Sequence, residues 1–257
     1  MRILVTNDDG VFAEGLRVLV KALVEVAEVL VIAPERQQSA TGHAITLHKP
    51  LRLEPVQMPG TVGAYASNGT PADCVILASL SDLPQPDMVI SGINAGANLG
   101  EEVLYSGTVS AAMEGAIQEI PSLAVSVCAY TEVLYEHAAA FAAGLIKGLW
   151  GSWPLPPDTF FNINIPNLPA AELKTPRLTR LGRRKYHNIL NKREDPRGRP
   201  YYWFSGSPLE SDCGEGTDIQ AIQQGHISLT PVHFDLTGDL EYKQLSTFMT
   251  SLEDLHL

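Results

Sequence analysis

The first two thirds of the chain alternates short apolar runs with stretches whose apolar residues recur at helical spacing. Residues 2–6 (RILVT) form a β-leaning run that stops at Asn7-Asp8-Asp9-Gly10. From residue 15 to 28, Leu16, Leu19, Val20, Leu23 and Val24 fall on one helical face. Residues 28–33 (EVLVIA) are a second run, ended by Pro34. Both runs are almost continuously apolar, as parallel strands covered on both faces must be. The same reading gives strands at 88–91, 123–127 and 160–165, with helices at 108–119 and 136–149. Strand-helix alternation of this kind predicts a doubly wound, mostly parallel α/β sheet with right-handed crossovers, over residues 1–170.

From about residue 173 the pattern changes to short β-rich pieces: RLTRLGRRKY, RPYYWFSG and HISLTPV. The charged stretch 191–199 separates the first two. The expectation is a hairpin arm over 171–257, attached to a single domain spanning 1–257 and ending in a modestly amphipathic tail at 239–257. Tyr201, Tyr202, Trp203 and Phe204 would make a costly exposed patch on such an arm, which suits a contact between subunits. Packing on their own sheet is the alternative.

Composition narrows the class. With 257 residues, 45% hydrophobic and 18% charged, the chain is globular, which excludes disorder, collagen and disulfide miniproteins. Cys74, Cys128 and Cys213 are odd in number, far apart and without C-x-x-C, so neither a disulfide framework nor a zinc ribbon is expected. The N-terminal apolar stretch of about four residues is too short for a signal peptide. No run approaches the ~18 apolar residues of a membrane span, so a cytoplasmic protein with no membrane partner is expected. A net charge of −11 argues against a stable nucleic-acid partner. The charge is uneven, however. Ten of the 18 Lys and Arg lie within 174–199 against two acids, which leaves that segment at +8 and the remainder at −19. A solvated arm explains this, as does an electropositive subunit contact or a guide for anionic ligands.

In an open α/β sheet, ligands sit beyond the carboxyl ends of the strands, where the polar motifs of this chain fall. Asp8 and Asp9 at a Gly turn can present hard oxygen ligands to a divalent cation, or one of them can cap the next helix. Ser39 and His43 lie in the small-residue loop after the second run, where each is a ligand candidate or a plain loop residue. ISGINAGANLG (90–100) offers glycines for close backbone approach and Asn94 and Asn98 as oxygen donors; it is neither a dinucleotide fingerprint nor a Walker A loop. Ser106-Gly107-Thr108 opens the helix AAMEGAIQ, where free N–H groups, the positive dipole end and two hydroxyls suit a phosphate. A simple Ser or Thr N-cap is the alternative. A cation and a phosphate site at one sheet edge imply phosphoryl chemistry.

MRILVTNDDG, APERQQS, SNGTPADCV, VISGINAGANLG, YSGTVSAAMEGA, EDPRGRPYYW, EGTDIQAI and GHISLTPVHFDLT, in this order, closely resemble the SurE (survival protein E) family of metal-dependent nucleotidases. The resemblance spans almost the whole chain and implies a Rossmann-like core, a swapped C-terminal tail and a homodimer or homotetramer. By it, Asp8, Asp9, Ser39 and Asn94 match the ligands of one divalent cation per subunit, Mg²⁺ or Mn²⁺. Asn98, Ser106, Gly107 and Thr108 match the positions around a bound phosphate. The family commonly carries Pro where this chain has Ala97, so a less rigid loop is expected there. The reaction implied is hydrolysis of nucleoside 5′-monophosphates, with 3′-nucleotides and polyphosphate as further substrates. Attack by water is expected, with an aspartyl-phosphate on Asp8 or Asp9 as the alternative. A metal-dependent amidohydrolase or deacetylase would want histidine ligands, but no H-x-x-H or H-E-x-x-H occurs. A nucleotide- or RNA-binding module using the basic arm is the non-enzymatic alternative.

Overall fold

The computed structural model describes residues 1–149, 151–183, 186–208 and 214–237. The chain opens with β1 (Arg2–Thr6), α1 (Glu14–Leu23) and β2 (Glu28–Pro34). A short pair, β3 (Leu53–Pro55) and β4 (Gly63–Ser67), leads into α2 (Pro71–Leu80). Then follow β5 (Met88–Ala95), α3 (Gly107–Ile117), β6 (Ser122–Val127), α4 (Tyr135–Leu149) and β7 (Thr159–Ile165). The last third gives β8 (Lys174–Leu178), β9 (Tyr186–Glu194), β10 (Pro200–Pro208), α5 (Asp218–Gln223) and β11 (His226–His233).

Among the described residues one nine-stranded sheet runs β3-β4-β2-β1-β5-β6-β7-β11-β8. Strands β4 to β7 are mutually parallel in this order, with antiparallel pairing only at β3–β4 and β7–β11. The doubly wound α/β expectation therefore holds. Continuous apolar strands arise because successive residues serve two helical layers. Ile3, Val5, Val31 and Ile90 belong to the core packed by α1 and α4, while Leu4, Leu30, Ile32 and Val89 meet Cys74 and Val75 of α2 and Ala111 of α3. Truncating any of these fully buried Leu or Ile residues to Ala should cost about 2–5 kcal/mol.

Some boundaries differ from the sequence reading. α1 ends at Leu23 because Glu28 is already in register with Arg2 and ion-paired to it at 2.9 Å. β5 extends to Ala95 through an irregularity between Ser91 and Asn94. There Gly92 has φ +140°, and a Cβ would sit 2.4 Å from the Val125 carbonyl oxygen. The stretch 191–199 is only partly a separator. Residues 191–194 continue β9, paired antiparallel with β10, and the turn is 195–199. β8 and β11 lie in the main sheet, which thus extends past residue 170. The tail at 239–257 and Cys213 lie outside the described residues. Cys74 is a buried free thiol, and among the described residues no helix is long and apolar enough to cross a membrane.

From β1 the chain moves outward to β2 and β4, then returns to β5 on the other side of β1. The topological switch point lies between β1 and β5, the place where such sheets open a ligand crevice.

Candidate active site

Loops leaving β1, β2 and β5 meet the start of α3 over a cavity of about 270 Å³. Asp8, Asp9, Ser39, Asn94, Asn98 and Ser106 all line it. Six residues singled out from the sequence thus converge, and the other two, Gly107 and Thr108, stand directly behind Asp8.

The turn after β1 is fixed locally. The Asn7 side chain donates to the Gly10 carbonyl (3.0 Å) and accepts from the Gly10 N–H (3.1 Å). Gly10 has φ +105°, a conformation costly for residues with a Cβ. Neither Asp caps α1, whose N-cap is Ala13 without any side-chain bond, so the capping alternative fails. Asp8 is buried, and the Thr108 hydroxyl donates to its Oδ1. Burial pushes the Asp8 carboxyl up to about 6, with the Asp9 charge adding and bonds from Thr108 opposing. Burial also raises Asp9, against long bonds from the Ala95 N–H and the Gln37 amide, each 3.4 Å. Two neighbouring carboxyls that both resist ionisation are poised to gain from a cation.

α3 starts at the opposite wall. Ser106 is its N-cap, the Oγ accepting from the Val109 N–H at 3.1 Å, so the capping reading is correct while the residue also faces the cavity. Thr108 is fully buried, its hydroxyl spent on Asp8. At Gly107 a Cβ would meet the Asp8 Cβ at 2.7 Å and Oδ2 at 3.1 Å; glycine is what lets the helix approach. Asn94, at the end of β5, donates from Nδ2 to the Gly96 carbonyl at 2.9 Å. Ser39 is exposed on the β2 loop.

Asn98 is the most tightly held of the set. Its N–H donates to Asn164 Oδ1 (2.8 Å) and its Nδ2 to Ser126 Oγ (2.8 Å), while its carbonyl accepts from Nδ2 of Asn162 (2.8 Å) and Asn164 (3.0 Å). Asn162 and Asn164 were not foreseen; the cue was FNINI, with two amides two residues apart on one face of an otherwise apolar strand. Asp218 was also missed. It accepts from the N–H groups of Gly100, Gly182 and Ile219 at 2.8–2.9 Å and so ties the loop after β5 to α5. His43 lies outside the cavity lining. Its Nε2 meets Glu114 Oε2 of α3 at 2.8 Å, beside a Gly42 N–H bond to the Tyr105 carbonyl (3.0 Å), and both bonds fasten the β2 loop to the α3 side.

The expected donors, Asp8, Asp9, Ser39 and Asn94, fit a hard divalent cation: two carboxylates, a hydroxyl and an amide oxygen, with Glu102 a further carboxylate on the lining and no thiol or imidazole among the described residues there.

A carboxylate pair at the switch point of a doubly wound sheet, facing a helix N-terminus, defines a class of α/β proteins built to handle anionic, oxygen-rich ligands. Comparison with known proteins narrows the class. The family model of Survival protein SurE matches residues 3–188. The chain is 50% identical to a protein named 5′-nucleotidase SurE from Moorella thermoacetica, over 98% of this chain and 97% of that one. It is 49% identical to another of that name from Heliobacterium modesticaldum, over 97% and 92%. The crystal structure of the SurE protein from Aquifex aeolicus superposes with a TM-score of 0.84 at 39% identity, covering 97% of this chain and all of that one. The chain belongs to the SurE family.

Proposed function

We propose that this protein is a divalent-metal-dependent phosphomonoesterase that hydrolyses nucleoside 5′-monophosphates to nucleoside and phosphate. The observation that carries the reading is the placement of the Asp8–Asp9 pair and the α3 N-terminus on one cavity, in a chain of the 5′-nucleotidase SurE kind. Asp8, Asp9, Ser39 and Asn94 would hold one cation per subunit, Mg²⁺ or Mn²⁺. When bound, it supplies Lewis-acid charge stabilisation at the phosphoryl group and acidifies an attacking water.

The chain's own residues do the rest. Thr108 holds the Asp8 carboxylate in one orientation, and the Ala95 N–H and Gln37 do the same for Asp9. The phosphate lies against Ser106 and the first turn of α3, with Asn98 on the adjoining wall. The dipole end there stabilises charge on the equatorial oxygens as the ester breaks. The buried Asn162–Asn164–Ser126 network fixes Asn98, so little reorganisation is needed. Water attacks in line. Hydrolysis of a substrate made chiral at phosphorus inverts the configuration of the phosphate released, as a single displacement must; retention would establish an aspartyl-phosphate on Asp8 or Asp9 instead. AMP turnover with and without EDTA tests the whole reading, and hydrolysis undiminished by the chelator would sink it.

The same reading takes the protein as cytoplasmic and as a homodimer or homotetramer. The β9–β10 hairpin supports the assembly: its Tyr202 and Trp203 are exposed, and the surrounding segment carries +8 on a chain of −11.

A further inference from the structure

Aromatic rings exposed on a monomer usually pack against something, and here their positions are selective. Two of the three most exposed aromatic side chains among the described residues, Tyr130 at 79% and Tyr105 at 67%, line the cavity of Asp8 and Asp9. They arrive on separate loops, Tyr105 immediately before the Ser106 cap of α3 and Tyr130 just after β6.

The Tyr130 ring is seated by the backbone. A Cβ at Gly96 would lie 2.5 Å from its Cε1 and 3.2 Å from its Cδ1, and Gly96 has φ +123°. Only glycine there lets the ring rest on the loop that the Asn94 side chain grips through the Gly96 carbonyl. Tyr105 is anchored through its backbone, its carbonyl accepting from the Gly42 N–H at 3.0 Å, which leaves the ring free at the rim. Both rings therefore stand on held backbone and are largely exposed.

Size says what they would meet. Pockets that enclose a drug-sized ligand run to roughly 300–1,000 Å³, and this cavity has about 270 Å³. It takes a phosphate and the sugar next to it, leaving the far end of a nucleotide at the mouth. We propose that Tyr130, with Tyr105 as a second ring, forms an aromatic rim that stacks on the nucleobase of the substrate. This rests on the phosphomonoesterase reading above and adds to it a base subsite outside the reaction centre. Stacking of a base on an aromatic side chain is worth roughly a 5- to 150-fold change in binding.

The test compares a nucleotide with the same phosphate and sugar lacking a base. The ratio of kcat/KM for AMP to that for ribose 5-phosphate should fall about 5- to 150-fold in Tyr130→Ala, by a smaller factor in Tyr105→Ala, and return in Tyr130→Trp. Equilibrium dialysis of AMP in EDTA should show the same order of Kd values. An unmoved ratio in both Ala variants, or equal losses toward the two substrates, overturns the aromatic rim while leaving the phosphatase reading intact. A wild-type protein inert toward AMP, ribose 5-phosphate and p-nitrophenyl phosphate alike overturns both.

Discussion

Gly107→Ala adds one methyl group at the closest approach between α3 and Asp8. The new Cβ would stand 2.7 Å from the Asp8 Cβ, 3.1 Å from its Oδ2 and 3.2 Å from the Pro71 Cγ. Ordinary contact begins near 3.4 Å, so helix and carboxylate must separate by about 0.7 Å. The stability cost is modest: overpacking takes about 1–3 kcal/mol, and removing a flexible glycine from a helix returns up to ~1 kcal/mol. The catalytic cost is larger. Displacing a reacting group by 1 Å costs on the order of 100-fold, so kcat/KM should fall roughly 10- to 100-fold while the protein remains folded. Gly144→Ala in α4, where a Cβ meets nothing within 4 Å, is the control and should raise the melting temperature with activity unchanged. AMP hydrolysis and thermal melts of both variants decide it. A Gly107→Ala enzyme within twofold of wild type would falsify the claim that this contact sets the position of Asp8.

Asp8→Asn and Asp9→Asn should each leave less than a tenth of wild-type kcat, and retention of more in both would remove the pair from the site. Asp8 titrates near 6 when folded against 3.8 ordinarily, so the folded state binds its proton more tightly. That contribution is full below about pH 4 and is lost as pH rises through 6, a change on the order of 3 kcal/mol. In EDTA, Asp8→Asn should therefore melt progressively higher than wild type from pH 4 to 7; a gap independent of pH contradicts the assignment. Ser106→Ala, at the cavity wall, should weaken inhibition by inorganic phosphate about 10- to 150-fold, the effect of losing a hydrogen bond to a charged group. Unchanged inhibition would move the anion site off α3. Shortening the hairpin in register, by removing residues 191–203 and closing with Asn-Gly, should lower the oligomeric state in light scattering. Raising salt to 1 M should act in the same direction.

The sheet was legible wherever a strand is covered on both faces, because RILVT, EVLVIA and LAVSV carry their burial as nearly continuous apolar runs. β4 was not, since GAYAS is too small and too mixed to stand out, and its place is set by pairing with β2 rather than by its own residues. α2 is buried on several sides and lacks a clear amphipathic stripe. The Thr70–Asp73 capping box at its start is the local cue that TPAD carried. Residues 191–194 look like loop because all four are exposed, so no buried face imposes alternation on them. In the site, Asp8, Asp9 and Asn94 were readable because each lies at or just beyond the carboxyl end of an apolar strand. Asn162, Asn164 and Asp218 hold Asn98 and Gly100 from 64 to 118 positions away, a pairing with no signature within any local window.

That separation bears on how the protein comes into being. All eight residues assigned to cation and phosphate lie between 8 and 108, so a nascent chain has them well before its end emerges. Yet Asn98 is gripped from β7, and Gly100 is held by Asp218. The loop that completes the cavity gains these bonds only once β7 and α5 are in place, and until then a half-synthesised chain carries both acids without a finished wall opposite them. The proposed activity thus waits on elements made after every one of its assigned donors.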